Sequence, residues 1–208
     1  MPPRIDRADV AALTTRAAAL ATAGRALLGI TGPPGAGKST LAAELAAALG
    51  PTAALVPMDG FHLAQSELER LGRHDRKGAV DTFDAAGFVA LVRRLRAGAE
   101  DVYAPTFRRD IEEPIAGAIN VAANVPLVVL EGNYLLVTDP PWRSLRELLD
   151  EVWYVDLDRE ARIERLVARH VAFGRDPAAA RAWALGSDER NAELIAATRD
   201  RADLLIVG

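Results

Sequence analysis

The sequence predicts an α/β domain over residues 1–208, built on a five-stranded, doubly wound parallel sheet with helices on both faces and a helical lid. Two observations carry the sheet. Short β-branched or apolar runs alternate with stretches of helical periodicity along the whole chain, the pattern of strand–helix–strand crossovers. One of these runs, Val125–Leu130 (VPLVVL), is apolar from end to end, as a strand buried on both faces requires. The length fits one domain with a core of its own.

The elements follow in order. An amphipathic helix is expected over Asp6–Thr22. Ala26–Thr31 (ALLGIT) reads as a buried strand that enters a Gly/Pro-rich loop. A helix opens near Lys38 and stops at Gly50, with Pro51 behind it. Ala53–Met58 is a second strand. Asp84–Ala97 is a helix that sets Phe88, Leu91, Val92 and Leu95 on one face. Val125–Leu130 is the central strand, and a short helix follows Pro141. Val152–Val155 is a further strand. Two helices, about 159–173 and 177–199, lead to a last strand at Asp203–Val207. In such sheets ligands bind at the carboxyl ends of the strands.

Composition narrows the function. With no cysteine, disulfides and thiolate metal sites are excluded. A net charge of −4 without a sustained basic run argues against nucleic acid as a partner. A local cluster, Arg70, Arg73, Arg76 and Lys77, reads as a loop meeting an anionic small molecule or as a solvated face. The N-terminal stretch is broken by Arg4, Asp6, Arg7 and Asp9, so it lacks the apolar core of a signal peptide. No run approaches the ~20 apolar residues that cross a bilayer. A small-molecule substrate and a cytoplasmic setting are expected, and a homodimer is left open.

Gly32-Pro-Pro-Gly-Ala-Gly-Lys-Ser39 matches G-x-x-x-x-G-K-S/T in full, between a strand and a helix. The glycines let backbone N–H groups turn inward around phosphate oxygens, and the helix N-terminus adds partial positive charge. Gly32, Pro34, Gly35, Ala36, Gly37, Lys38, Ser39 and Thr40 are therefore expected to bind ATP, with Lys38 at the β- and γ-phosphates and Ser39 on Mg²⁺. This P-loop identifies a nucleotide, not a reaction.

Three strands end in a carboxylate: Asp59 (in MDGFHL), Glu131 (in LEGNY) and Asp156. Glycine follows the first two, which is taken to let the chain turn and leave each acid at the sheet edge. Asp59 is the expected base and metal-shell group, and Glu131 the second acid near Mg²⁺; the plainer reading of either is a cap or loop hydrogen bond. Asp156 is less apt, because Asp158 beyond it reads as a helix N-cap. Arg162, Arg165 and Arg169 recur at i, i+3 and i+7, with Arg175 beyond Gly174. They could fold over ATP as a lid, 158–176, or pair with Glu160 and Glu164 on a solvated face. Arg165 and Arg169 are the candidates for catalysis, Arg169 and Arg175 for nucleotide contact.

GPPGAGKST, VPMDGFHL, APTFRRDIEEPIAGAI, VVLEGNYLL, the arginine-rich stretch and NAELIAATRDRADLLI together resemble the uridine kinase, phosphoribulokinase and bacterial pantothenate kinase group. Within it the resemblance is nearest to the bacterial nucleoside/nucleotide kinase, or fructose transport system kinase, branch. It implies a P-loop NTPase fold and ATP-dependent phosphorylation of a hydroxyl on a nucleoside, sugar or pantothenate-like compound. It implies Asp59 as base, Glu131 by the metal, and Arg162–Arg175 as the lid. It also implies an acceptor pocket lined from the segments of His62, Asp84, Tyr103, Phe107, Arg109 and Tyr134. One departure is Arg108, where many relatives carry Asp after the Phe; an arginine there could favour an anionic acceptor or point away.

His62 could contact substrate or make a loop hydrogen bond. His74 and His170 lack metal-ligand spacing, Trp142 and Trp153 read as packing residues, and Asn191 and Arg199 could contact adenine or ribose. The competing function is a P-loop NTPase acting as a nucleotide-dependent switch or sensor. No N-K-x-D guanine-reading segment and no L-S-G-G-Q-like signature supports it.

Overall fold

The computed structural model describes residues 1–208. Parallel pairing joins six strands: β1 (Arg4–Asp6), β2 (Ala26–Thr31), β3 (Ala53–Pro57), β6 (Leu127–Glu131), β7 (Glu151–Asp156) and β8 (Leu204–Val207), in the order β1-β8-β7-β2-β6-β3. The five expected strands are all present. The sixth, β1, lies at the start of the helix expected from Asp6. With Ile5 as its only apolar residue it has no alternation to read, and it exists because β8 pairs alongside it.

Period-two alternation sorts the strand residues onto two faces. Leu28 and Ile30 of β2, Val129 of β6 and Trp153 of β7 pack under helices α1 (Val10–Leu20) and α2 (Lys38–Leu49), against Leu13, Ala17, Leu41 and Leu45. Leu27, Val128, Leu130 and Val152 face the other way. They meet α4 (Ala85–Ala97) through Phe88, Val92 and Leu95, and α5 (Leu145–Leu148) through Leu145. Each such side chain contributes about 1.5–3 kcal/mol on burial. Trp142 and Trp153 are both buried packing residues.

A second, two-stranded sheet pairs β4 (Val102–Arg108) and β5 (Glu113–Val121) antiparallel, with an irregularity between Ala104 and Thr106. Sequence periodicity gave no sign of it, because β5 (EPIAGAINV) is largely exposed and carries small residues on both faces. This hairpin presses against the turn that carries Asp59. A Cβ on Gly60 would lie 2.3 Å from the carbonyl oxygen of Pro105, and one on Gly132 would lie 2.5 Å from Cβ of Met58. Neither glycine has positive φ. They are needed for close approach of backbone to neighbour, not for the turn the sequence suggested. Gly60→Ala should therefore cost roughly 1–3 kcal/mol by overpacking and displace the hairpin. A lowered melting temperature together with reduced turnover is expected in a melt and an activity assay; an unchanged melt would remove this account.

The chain continues through α3 (Gln65–Arg70), α6 (Arg159–Ala172), α7 (Pro177–Trp183) and α8 (Glu189–Ala196). The single helix expected over 177–199 is divided by a π-turn at Ala184–Asp188, a local widening that turns Asp188 inward.

Candidate active site

β2 lies between β6 and β7, so the strand order reverses at its carboxyl end, the place where such sheets take ligands. The loop Gly32–Ser39 leaves β2 there and enters α2. Gly35 (φ 82°) and Gly37 (φ 93°) adopt left-handed backbone that curls the loop. Lys38 is the first residue of α2 and is buried, with Nζ donating to the carbonyl of Pro33 at 3.1 Å. Burial lowers its pKa, and the nearby carboxylates of Glu131 and Asp59 oppose the fall.

Glu131 ends β6 as a buried carboxyl. Burial pushes its pKa up to about 7, against the opposing pull of Lys38 and of a hydrogen bond from Ser39. Asp59 follows β3 in a short 3₁₀ turn, Met58–Phe61, and β3 pairs with β6 so that both strand ends open on one cleft. Its carboxylate accepts from Nη2 of Arg109 at 2.8 Å. Nδ1 of His62 lies 2.7 Å from the carbonyl of Asp59; a carbonyl only accepts, so Nδ1 carries the proton. The imidazole is wedged between Phe83 (4.1 Å between centroids) and Phe107 (4.6 Å), and burial lowers its pKa.

A cleft of about 500 Å³ brings together Lys38, Ser39, Asp59, His62, Phe107, Arg109, Glu131, Arg169 and Arg175. A neighbouring cleft of about 740 Å³ runs along Gly35–Thr40 past Asp156, Arg165 and Arg169. The two meet at Lys38 and Ser39 and also share Arg109, Arg169 and Phe173. The first also takes in Gln65, Asn133, Asp188 and Asn191. Only Asn191 among these four was singled out from sequence. The others sit in loops, on a short helix or at the π-turn, where no periodicity signals orientation.

Other expectations shift. Asp84 does not line the cleft: it is the N-cap of α4, accepting from the N–H of Gly87 at 2.8 Å. Tyr103 is exposed on the hairpin opposite Asn120, away from the cleft. Tyr134 is fully buried and its hydroxyl donates to the carbonyl of Gly78 at 2.6 Å, a support beneath the cleft wall. Arg162 is not a mobile lid residue: it is buried, bonded to the carbonyl of Pro34 and to Glu189 at 2.8 Å, which ties α6 to the P-loop. Arg175 stacks on Trp183, 4.1 Å from the ring centre. Arg199 pairs with Asp156 at 2.6 Å, so neither is free for a metal or a base. Asp158 caps α6, as its spacing suggested.

The donors at this junction fit Mg²⁺. Ser39, Asp59 and Glu131 offer hard oxygens, and no cluster of three or more His, Cys, Asp or Glu surrounds the point. A cation that completes its shell with phosphate oxygens and water needs no more than this. Glu131, whose charge is disfavoured by burial, gains most from such an ion. The apoprotein pays for that charge. Folding raises the carboxyl pKa from 4.5 to about 7, so the fold binds the proton more tightly than the unfolded chain does. Stability tied to Glu131 is present below pH ~4.5 and lost as pH rises through 7. Glu131→Gln is therefore expected to melt several degrees above wild type at pH 8 without metal or nucleotide, a gain on the order of a few kcal/mol, and the gap should close at pH 5. Parallel melts across that range check it; a gap independent of pH would contradict it.

Residues 27–207 match the profile of the Phosphoribulokinase / Uridine kinase family. The ATP-dependent kinase-like protein notR' of Aspergillus versicolor is 39% identical over 152 residues, 68% of this chain and 88% of that protein. The uncharacterized protein YggC of Escherichia coli is 33% identical over 88% of this chain and 77% of its own. A crystal structure from Silicibacter sp. TM1040, of a protein provisionally called a fructose transport system kinase, superposes with a TM-score of 0.86 at 40% identity, covering 94% of this chain and 98% of that one. YFH7 of Saccharomyces cerevisiae, at 20% identity and a TM-score of 0.84, shares the fold. A strand–P-loop–helix at the switch point, two strand-end acids beside its lysine, and a family match over nearly the whole chain agree: the chain belongs to the Phosphoribulokinase / Uridine kinase family of P-loop kinases, which act on small metabolites.

Proposed function

We propose that the protein transfers the γ-phosphoryl group of ATP, with Mg²⁺, to a hydroxyl of a small metabolite. One observation carries the reading: Asp59 and Glu131, each at the end of a strand, line with Lys38 and Ser39 one cleft that opens directly onto the P-loop. Lys38 would leave the Pro33 carbonyl for the β- and γ-phosphates, while P-loop N–H groups and the start of α2 hold their oxygens. Ser39 and Glu131 would hold Mg²⁺, which when bound supplies positive charge against the phosphates. Asp59 accepts the proton of the acceptor hydroxyl as its oxygen bonds to Pγ and the bond from Pγ to the bridging oxygen breaks, releasing ADP. Arg165 and Arg169, facing the P-loop from α6, offset charge on the transferred group. Such an enzyme is expected in the cytoplasm, with ATP.

ADP release from ATP and Mg²⁺ across nucleosides, ketoses, aldoses and pantothenate, with Lys38→Ala as the blank, tests this. Release that rises with an acceptor and vanishes in the blank supports a kinase. Steady hydrolysis indifferent to every acceptor would favour the switch or sensor.

A further inference from the structure

The cations around the cleft differ in what they already hold. Arg70 pairs with Glu67 at 2.6 Å, Arg73 and Arg76 pair with Asp81 at 3.3 and 2.9 Å, and Arg108 pairs with Asp110. Each of these four has a carboxylate partner, Asp81 being shared by Arg73 and Arg76 with Asp75 3.6 Å from Arg76, and Arg108 does not line the cleft. Lys77 is different. Its ammonium donates to the carbonyl of Glu112 at 2.5 Å, lies 5.3 Å from the ring centre of Phe107 and has no carboxylate partner. Arg109 lies 5.7 Å from the centre of that same ring, and its one ion pair is with Asp59, the proposed base. Two cations thus gather on the ring of Phe107, Lys77 within the first cleft and Arg109 where the two clefts meet.

The rings there offer no platform for a nucleobase. His62 is wedged between Phe83 and Phe107, the cations gather on Phe107, and Arg175 covers Trp183. Phe173, which is exposed, lines both clefts, as Arg109 does. A neutral base would have to displace charged side chains from aromatic faces, whereas a carboxylate or phosphate would meet donors with unfilled capacity.

We infer that the acceptor is a small hydroxy compound carrying an anionic group, carboxylate or phosphate, which Lys77 and Arg109 hold while its hydroxyl reaches Asp59; this rests on the kinase reading above. The ion pair between Arg109 and Asp59 gives the arrangement a second consequence. While the guanidinium occupies Oδ2 of Asp59, that oxygen is not open to an incoming hydroxyl. An anion draws Arg109 towards itself and frees Asp59 to take the hydroxyl proton as the new O–Pγ bond forms and ADP leaves. Water brings no such anion, so the base stays covered until the acceptor arrives.

The test uses matched pairs that differ in the anion: glycerol and glycerate, ribulose and ribulose 5-phosphate, panthenol and pantothenate. ADP release is measured with each, and calorimetric binding of each to protein saturated with Mg²⁺ and a non-hydrolysable ATP analogue. The charged member of at least one pair should bind and turn over at least tenfold better than its neutral partner, and the preferred pair separates the carboxylate source from the phosphate source. Lys77→Gln should raise the KM for that acceptor about tenfold or more and leave the KM for ATP in place. Arg109→Gln should weaken the same acceptor and raise acceptor-independent ADP release. Neutral members matching charged ones, an unmoved KM in Lys77→Gln, or no anion binding at all would each overturn the inference. Anion binding that Lys77→Gln abolishes, without ADP release above the Lys38→Ala blank, would keep the subsite and discard the kinase.

Discussion

Lys38→Ala should lose acceptor-dependent ADP release by about 10³-fold or more, since the lysine acts where charge gathers on the transferred group. The fold should survive. Lys38 makes a single hydrogen bond, to the carbonyl of Pro33, and its buried charge is itself disfavoured. Its removal also takes away the main cation opposing the rise in Glu131's pKa, so the carboxyl would keep its proton to higher pH. The variant should therefore melt cooperatively within a few degrees of wild type while its turnover disappears. Circular dichroism melts and a coupled ADP assay on one preparation separate the two effects. Full turnover in a folded variant would remove Lys38, and with it the assigned site.

How far the sequence reaches depends on what each residue's role requires. Buried strands of five or six residues, such as Ala26–Thr31, announce themselves because every position must be apolar. The P-loop does so because phosphate geometry fixes glycine, lysine and hydroxyl spacing together. β1 and the β4–β5 hairpin are invisible for the opposite reason: exposed or three-residue strands are held by pairing, and pairing partners are distant in sequence. The same divide runs through the site. Asp59 and Glu131 were legible as acids at strand ends. Tyr134 shares the segment LEGNY with Glu131 and Tyr103 directly precedes APTF, while Asp84 stands apart from the motifs; chain direction at a buried turn, a hairpin face and a helix cap sends the three elsewhere. Gly60 and Gly132 were legible as special positions but not for their reason, which is the nearness of Pro105 and Met58. The basic cluster at 70–77 needed its partners seen before Lys77 could be told from Arg70, Arg73 and Arg76.

Asp59→Asn separates the two acids by chemistry. The substitution is nearly isosteric, and the amide oxygen can still accept from Arg109, so the hairpin and the turn Met58–Phe61 should hold their places. It removes the charge and the capacity to take a proton. If Asp59 is the base, kcat should fall by roughly 10²–10⁴-fold, with the KM for ATP little changed, because the nucleotide's phosphates rest on the P-loop and Lys38. Glu131→Gln has a different signature: it should raise the Mg²⁺ concentration needed for half-maximal rate, since Glu131 is buried beside Ser39 where the ion is expected. Steady-state kinetics of both variants against ATP, acceptor and Mg²⁺ give the comparison. Unaltered turnover in Asp59→Asn would move proton acceptance to Glu131 or remove it from the mechanism. In that case the bond from Arg109 would be a structural pin on the hairpin, not a cover on a base.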